Sequence, residues 1–134
     1  MKKVRLAKKN IDVFGAEIHL LWPCTEAQET SYISRFGIPP SNEDNPEDSY
    51  ASHRPITTKM GKIIHVIRLR EWHNSPEMIA VLAHECLHAT FFVLANRGVL
   101  YSNESEETFT YLHQTMVKHC LKLLKAKKFK VLSL

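Results

Sequence analysis

Ile63-Ile64-His65-Val66-Ile67-Arg68-Leu69 leads through a short link to Ser75-Pro76 and then to a long apolar segment that ends near Asn96. The first stretch is rich in strand formers. Alternation sends Ile63, His65, Ile67 and Leu69 to one face, and Ile64, Val66 and Arg68 to the other. Ser75 is a good helix N-cap, and Pro76 suits the first helical position, where no amide hydrogen is required. From Glu77 to Asn96, Met78, Ile79, Val81, Leu82, Leu87, Phe91, Phe92 and Leu94 fall on nearly every side of a helix. Such a helix is expected at the centre of the fold. Gly98 is placed to end it.

The rest of the chain is arranged around this strand and helix. The first 22 residues look extended, with Val13-Phe14 and Ile18 to Trp22 as strand-forming runs and Gly15 as a turn or bulge between them. Thr25 to Arg35 reads as a short helix stopped by Gly37 and Pro39-Pro40. Residues 38 to 55 mix Pro39, Pro40, Pro46 and Pro55 with polar residues, which predicts a long surface loop, mobile and either a lid or a plain insertion. A second helix is expected from about Asn103 to Lys125, with the stripe Phe109, Leu112, Met116, Cys120 and Leu123. Phe129 to Leu132 forms a short last strand or frays. The expectation is one α+β domain over residues 1–134. A small, mostly antiparallel sheet, including residues 62–69 and the N-terminal segments, packs on the two long helices.

A chain of 134 residues can bury a core without staples. Its 44% hydrophobic and 24% charged residues suit a soluble globular protein rather than a fibrous or disordered one. Cys24, Cys86 and Cys120 are odd in number and form no CxxC pair, which favours a reducing compartment. Met1-Lys2-Lys3-Val4-Arg5 is followed by Lys8, Lys9, Asn10 and Asp12 rather than an apolar signal core, and the uninterrupted apolar runs are too short to span a bilayer. The sequence therefore points to a cytoplasmic protein with no membrane partner. The net charge of +4 gathers at the C-terminus in Lys118, Lys122, Lys125, Lys127, Lys128 and Lys130. With Phe129 the one aromatic residue interleaved, this reads as a solvated face rather than a nucleic-acid surface.

The long helix carries His84-Glu85-Cys86-Leu87-His88, an HExxH sequence. Residues four apart lie one turn above each other, so both imidazoles can face one zinc ion. Glu85 is offset by about 100° around the helix. From there its carboxylate reaches a water on the metal without being a ligand, which is the place of a general base. At this chain's own His and Glu frequencies the motif arises by chance only roughly 0.04 times. The competing interpretation is a pair of core histidines linked to Glu85. Burying them in an apolar helix is costly without a strong partner, and a metal is one.

A catalytic zinc wants a third protein ligand and an open fourth position. The candidates are His65, His73, His113, Glu104, Glu106 and Glu107. On the second helix Glu106 lies about 60° from Phe109 and Glu107 about 160°, so periodicity favours Glu106. The spacing of the motifs favours Glu107. Two acidic residues in a first turn also suit the helix dipole.

Eighteen residues, 89 to 106, separate His88 from Glu107. HExxH, eighteen residues and Glu resembles the gluzincin metallopeptidases in their aminopeptidase branch. Glu107-Thr108-Phe109-Thr110 is similar to the small-apolar-small sequence that follows the ligand glutamate there. The chain also looks like the small single-domain HExxH proteins often encoded by bacteriophages, with Glu107 to Tyr111 matching their Glu-small-apolar-small-Tyr. The likeness covers roughly residues 60 to 125. It implies zinc ligands at His84, His88 and Glu107, Glu85 as general base, and a peptide or protein substrate that adds to a sheet edge presented by the strand that precedes the motif. No counterpart of the aminopeptidase substrate-anchoring motif or of the accessory domains is present, so exopeptidase specificity does not transfer.

Other chemistry is less well supported. The PCxxC of zinc deaminases, a glycine-rich phosphate loop and a GxSxG elbow are all missing, and Cys86 lies about 200° from His84, which makes it a core residue rather than a nucleophile. Two alternatives to a zinc peptidase remain. One is a zinc hydrolase acting on another bond. The other is a non-catalytic accessory protein, phage-type or host, that keeps a structural zinc closed by His113 or Glu106 and acts by binding a partner.

Overall fold

In a computed structural model the chain is described over residues 3–11, 14–39 and 49–134. Eight elements follow in order: β1 (Val4–Ile11), β2 (Ala16–Trp22), α1 (Glu26–Ser34), β3 (Ala51–Thr57), β4 (Ile63–Leu69), α2 (Pro76–Asn96), α3 (Glu106–Lys125) and β5 (Lys130–Leu132). The fold is α+β, with one five-stranded sheet in the order β3-β4-β2-β1-β5. β2 and β4 pair in parallel, Ile18 opposite His65 and Leu20 opposite Ile67, and every other pairing is antiparallel.

Alternation in β2 and β4 builds two cores, one on each face. Ile18, Leu20, Trp22, Ile67 and Leu69 meet Leu82, Cys86, Ala89 and Val93 of α2 and Phe109, Leu112 and Met116 of α3. Leu21, Ile64 and Val66 meet Tyr32 and Ile33 of α1 on the opposite face. The two inner strands are covered on both sides, which is why their sequences are nearly continuous apolar runs. Arg68 points toward α1 and is fully buried. It donates to the Cys24 carbonyl at 3.1 Å and to Ser49 and Ser52, and lies 3.9 Å from Glu29.

Local signals place the helices. Thr25 and Gln28 form a reciprocal capping box at the start of α1. The Ser75 hydroxyl accepts from the Met78 amide, with Pro76 in the first turn of α2. α3 begins at Glu106 rather than near Asn103, because Ser102 and Ser105 close a separate turn and the Ser105 hydroxyl donates to the Leu100 carbonyl.

Three expectations need correction. Residues 51–55, expected to be loop, belong to β3. The strand is polar, only partly buried and interrupted by Pro55, which suits a sheet edge where one side needs no ladder partner. The mobility expected for the middle of that loop falls on residues 40–48, outside the described residues. Next, α2 is not buried all round. Leu87, Phe91 and Phe92 are exposed, and only the face holding Leu82, Cys86, Ala89 and Val93 enters the core. By length and composition alone α2 could cross a bilayer, yet it serves here as the helix on which the sheet packs. Finally, β4 is an inner strand, so the sheet edge beside the motif belongs to β3.

Candidate metal centre

His84 and His88 lie one turn apart on the face of α2 that looks away from the sheet core, and both are exposed. Their rings meet edge to face, with centroids 4.8 Å apart. The two Nε2 atoms are 3.1 Å apart. Zinc–imidazole bonds of about 2.0–2.1 Å at a tetrahedral angle separate two nitrogens by about 3.3–3.4 Å. The observed gap is therefore close to the bite of two histidines on one metal. Without a metal, the same gap holds an N–H···N hydrogen bond with one imidazole donating. The cost of burying the imidazoles, part of the sequence argument, does not arise because both are open to solvent.

Glu85 differs. It is 8% exposed, and burial raises its carboxyl pKa above the ordinary carboxylate value, against the opposing pull of His84, His88 and Arg68. The helix offset turns it toward β3. There it lines a cavity of about 600 Å³ with His88, Phe91, Phe92 and His53, and a second of about 370 Å³ with His84 and Tyr50. The motif thus faces a cleft between α2 and the edge strand, with the two imidazoles at its lip and the carboxyl in its wall.

The ligand set is incomplete in this geometry. Among the described residues, no three His, Cys, Asp or Glu side chains are gathered closely enough to hold a metal ion. Glu106 and Glu107 are both exposed in the first turn of α3 and are not brought together with the histidines. His113 donates from Nε2 to the Ala83 carbonyl at 2.9 Å, so that nitrogen is occupied in joining α3 to α2. Cys86 is fully buried with its sulfur 3.9 Å from that of Cys120, behind the motif in the core. Tyr101 packs on Phe91 and Phe109, while Tyr111 is exposed.

Sequence reasoning missed His53. It sits on β3 and stacks on His65 with ring centroids 5.1 Å apart, its Nε2 2.9 Å from Nδ1 of His65. Burial, with smaller contributions from the His65 and His88 charges, pushes the pKa of His53 down to about 3. Burial lowers His65 to about 4. Both rings are therefore neutral at pH 7, and Phe92 of α2 packs edge-on against them. The signal that could have found His53 is the alternation of Ala51, His53 and Pro55 against Ser52, Arg54 and Ile56, which Pro55 makes easy to dismiss.

Set against models of protein families, characterised proteins and solved structures, the chain finds no match. The functional reading rests on the residues themselves.

Proposed function

We propose that this chain is a zinc-dependent hydrolase of the metallopeptidase type, working in the cleft between α2 and β3. The observation that carries the proposal is the 3.1 Å approach of the His84 and His88 Nε2 atoms at the lip of a cleft whose wall holds Glu85. His84 and His88 would hold the ion, with Glu107 as the third ligand, assigned from motif spacing. Zinc, when bound, supplies Lewis acidity that polarises a carbonyl and acidifies nearby water.

This chain's own residues do the rest. Glu85, in its ionised form, takes a proton from the attacking water and returns it to the leaving amine. Its partial burial raises its proton affinity, which suits that exchange. β3 is the edge of the sheet, and an extended peptide can add there as a further strand, its backbone laid along the cleft. Three free cysteines, all buried, fit a reducing, cytoplasmic setting.

The test is zinc-dependent cleavage of a mixed peptide pool by purified protein, with Glu85→Gln as control. The reading expects cleavage that a chelator stops, and a loss of about 10²–10⁴-fold in the variant with zinc retained. Undiminished cleavage by Glu85→Gln would remove Glu85 from its role. The second reading, a partner-binding accessory protein with a structural zinc, is favoured by exposed Leu87, Phe91, Leu100 and Tyr101. Zinc binding without turnover on any peptide or protein substrate would favour it.

A further inference from the structure

A third cavity, of about 320 Å³, opens at the far end of α2 and shares no lining residue with the two that Glu85 lines. The stacked His53–His65 pair stands between them, with His53 lining the cleft and His65 lining this cavity. Its polar lining consists of Lys62, His65, Asn96 and Arg97, and no aspartate or glutamate is among the described residues that line it. Phe14, Ile63 and Val93 supply apolar wall.

Three of these polar groups, Arg97, Lys62 and His65, are each held by a neighbour. The Arg97 guanidinium donates to the Phe14 carbonyl and lies across Gly15, where a Cβ would come within 2.9 Å of its Nη2. Lys62 is anchored 3.1 Å from Glu17, which among the described residues leaves the cavity with two cations against one adjoining carboxylate. His65 is 1% exposed, with Nδ1 engaged by His53. Among the described residues, its Nε2 has no hydrogen-bond partner. The ring borders the cavity as one of its lining residues. In the last turn of α2 the Leu94 carbonyl accepts from the amides of Arg97 and Val99 and the Ala95 carbonyl from that of Gly98, so these two do not compete for the donors.

We infer that this cavity is an oxyanion-binding site, built for a carboxylate or phosphate group carried on a small, partly apolar body. Arg97 offers a planar fork, Lys62 a point charge, and Asn96 and His65 neutral donors, an assortment that matches an oxyanion better than a cation. The anion selects the His65 tautomer that carries its proton on Nε2, with Nδ1 accepting from His53. This inference does not depend on the hydrolase reading.

The test is an NMR titration of the folded chain in the presence of a chelator, with three probes: inorganic phosphate, an N-acetylated peptide ending in phenylalanine with a free carboxylate, and the same peptide as its amide. Saturable shifts at Lys62, His65, Asn96 and Arg97 are expected for phosphate, for the free carboxylate, or for both, with dissociation constants on the order of 1 mM or tighter. The arm that binds more tightly identifies the source of the anion. Arg97→Gln, an exposed change, weakens binding at least about tenfold, as does Gly15→Ala by displacing the guanidinium. Should Gly15→Ala fail to fold, Lys62→Gln gives the second reading. The inference is overturned if neither anion saturates, if the amide binds as well as the acid, or if Arg97→Gln binds as wild type.

Discussion

Acidification should destabilise this protein through the His53–His65 pair, and the size of the effect can be worked out. Both imidazoles are neutral in the folded chain, with pKa values of about 3 and about 4 against 6.5 in an exposed histidine. A group whose folded pKa is depressed makes the unfolded state the better proton binder between the two values. Stability is then present above pH 6.5 and falls as pH drops toward the folded pKa. Each such histidine contributes about 1.4 kcal/mol per pH unit in that window, hence about 2 kcal/mol by pH 5 and about 4 kcal/mol for the pair. Access of water from the two flanking cavities lowers this, so about 2–4 kcal/mol is the working range. Against a total stability of about 5–15 kcal/mol this is a large share. The assay is urea unfolding from pH 8 to pH 4.5, with a chelator present so that metal binding does not contribute. His53→Asn should be less stable at pH 8 but lose roughly 2 kcal/mol less than wild type on going to pH 5. Parallel pH dependences in the two proteins would refute the assignment of buried, neutral rings.

Other outcomes follow from the same geometry. If Glu85 is the base, hydrolysis falls on the acid side as its carboxylate takes up a proton, and Glu85→Gln removes that limb of the pH–rate profile. Leu82→Ala, at a fully buried position between α2 and the sheet, should cost about 2–5 kcal/mol in denaturant melts. Arg68→Ala should cost about 3–5 kcal/mol at neutral pH by leaving Glu29 buried beside fewer partners. That cost should shrink on acidification, because burial already raises the Glu29 pKa and protonation relieves the charge. An unchanged cost at pH 4.5 would argue against it.

Where the fold was legible in the sequence, a local rule and the tertiary environment agreed. β4 alternates cleanly because each of its faces meets a different core, and α2 starts where Ser75 and Pro76 satisfy its first turn. β3 was hidden because an edge strand needs neither an apolar pattern nor a full ladder, and Pro55 argues against a strand anywhere else. The exposed face of α2 was misjudged because Leu87, Phe91 and Phe92 add to its apolar count without being buried. At the site, the helical repeat alone brings the two imidazoles together and turns Glu85 aside, so this much could be read from the spacing. The third ligand could not be, since it depends on how α3 packs on α2. His53 lies on the strand whose character the sequence concealed.

The most direct measurement is zinc binding by the purified, folded chain, titrated against a chelator of known affinity, for wild type, His84→Ala, His88→Ala, Glu106→Ala and Glu107→Ala. The account predicts one zinc per wild-type chain, loss of binding in either histidine variant, marked weakening in Glu107→Ala and little change in Glu106→Ala. A folded wild-type protein with no affinity for zinc, or one whose affinity survives both histidine substitutions, would contradict it.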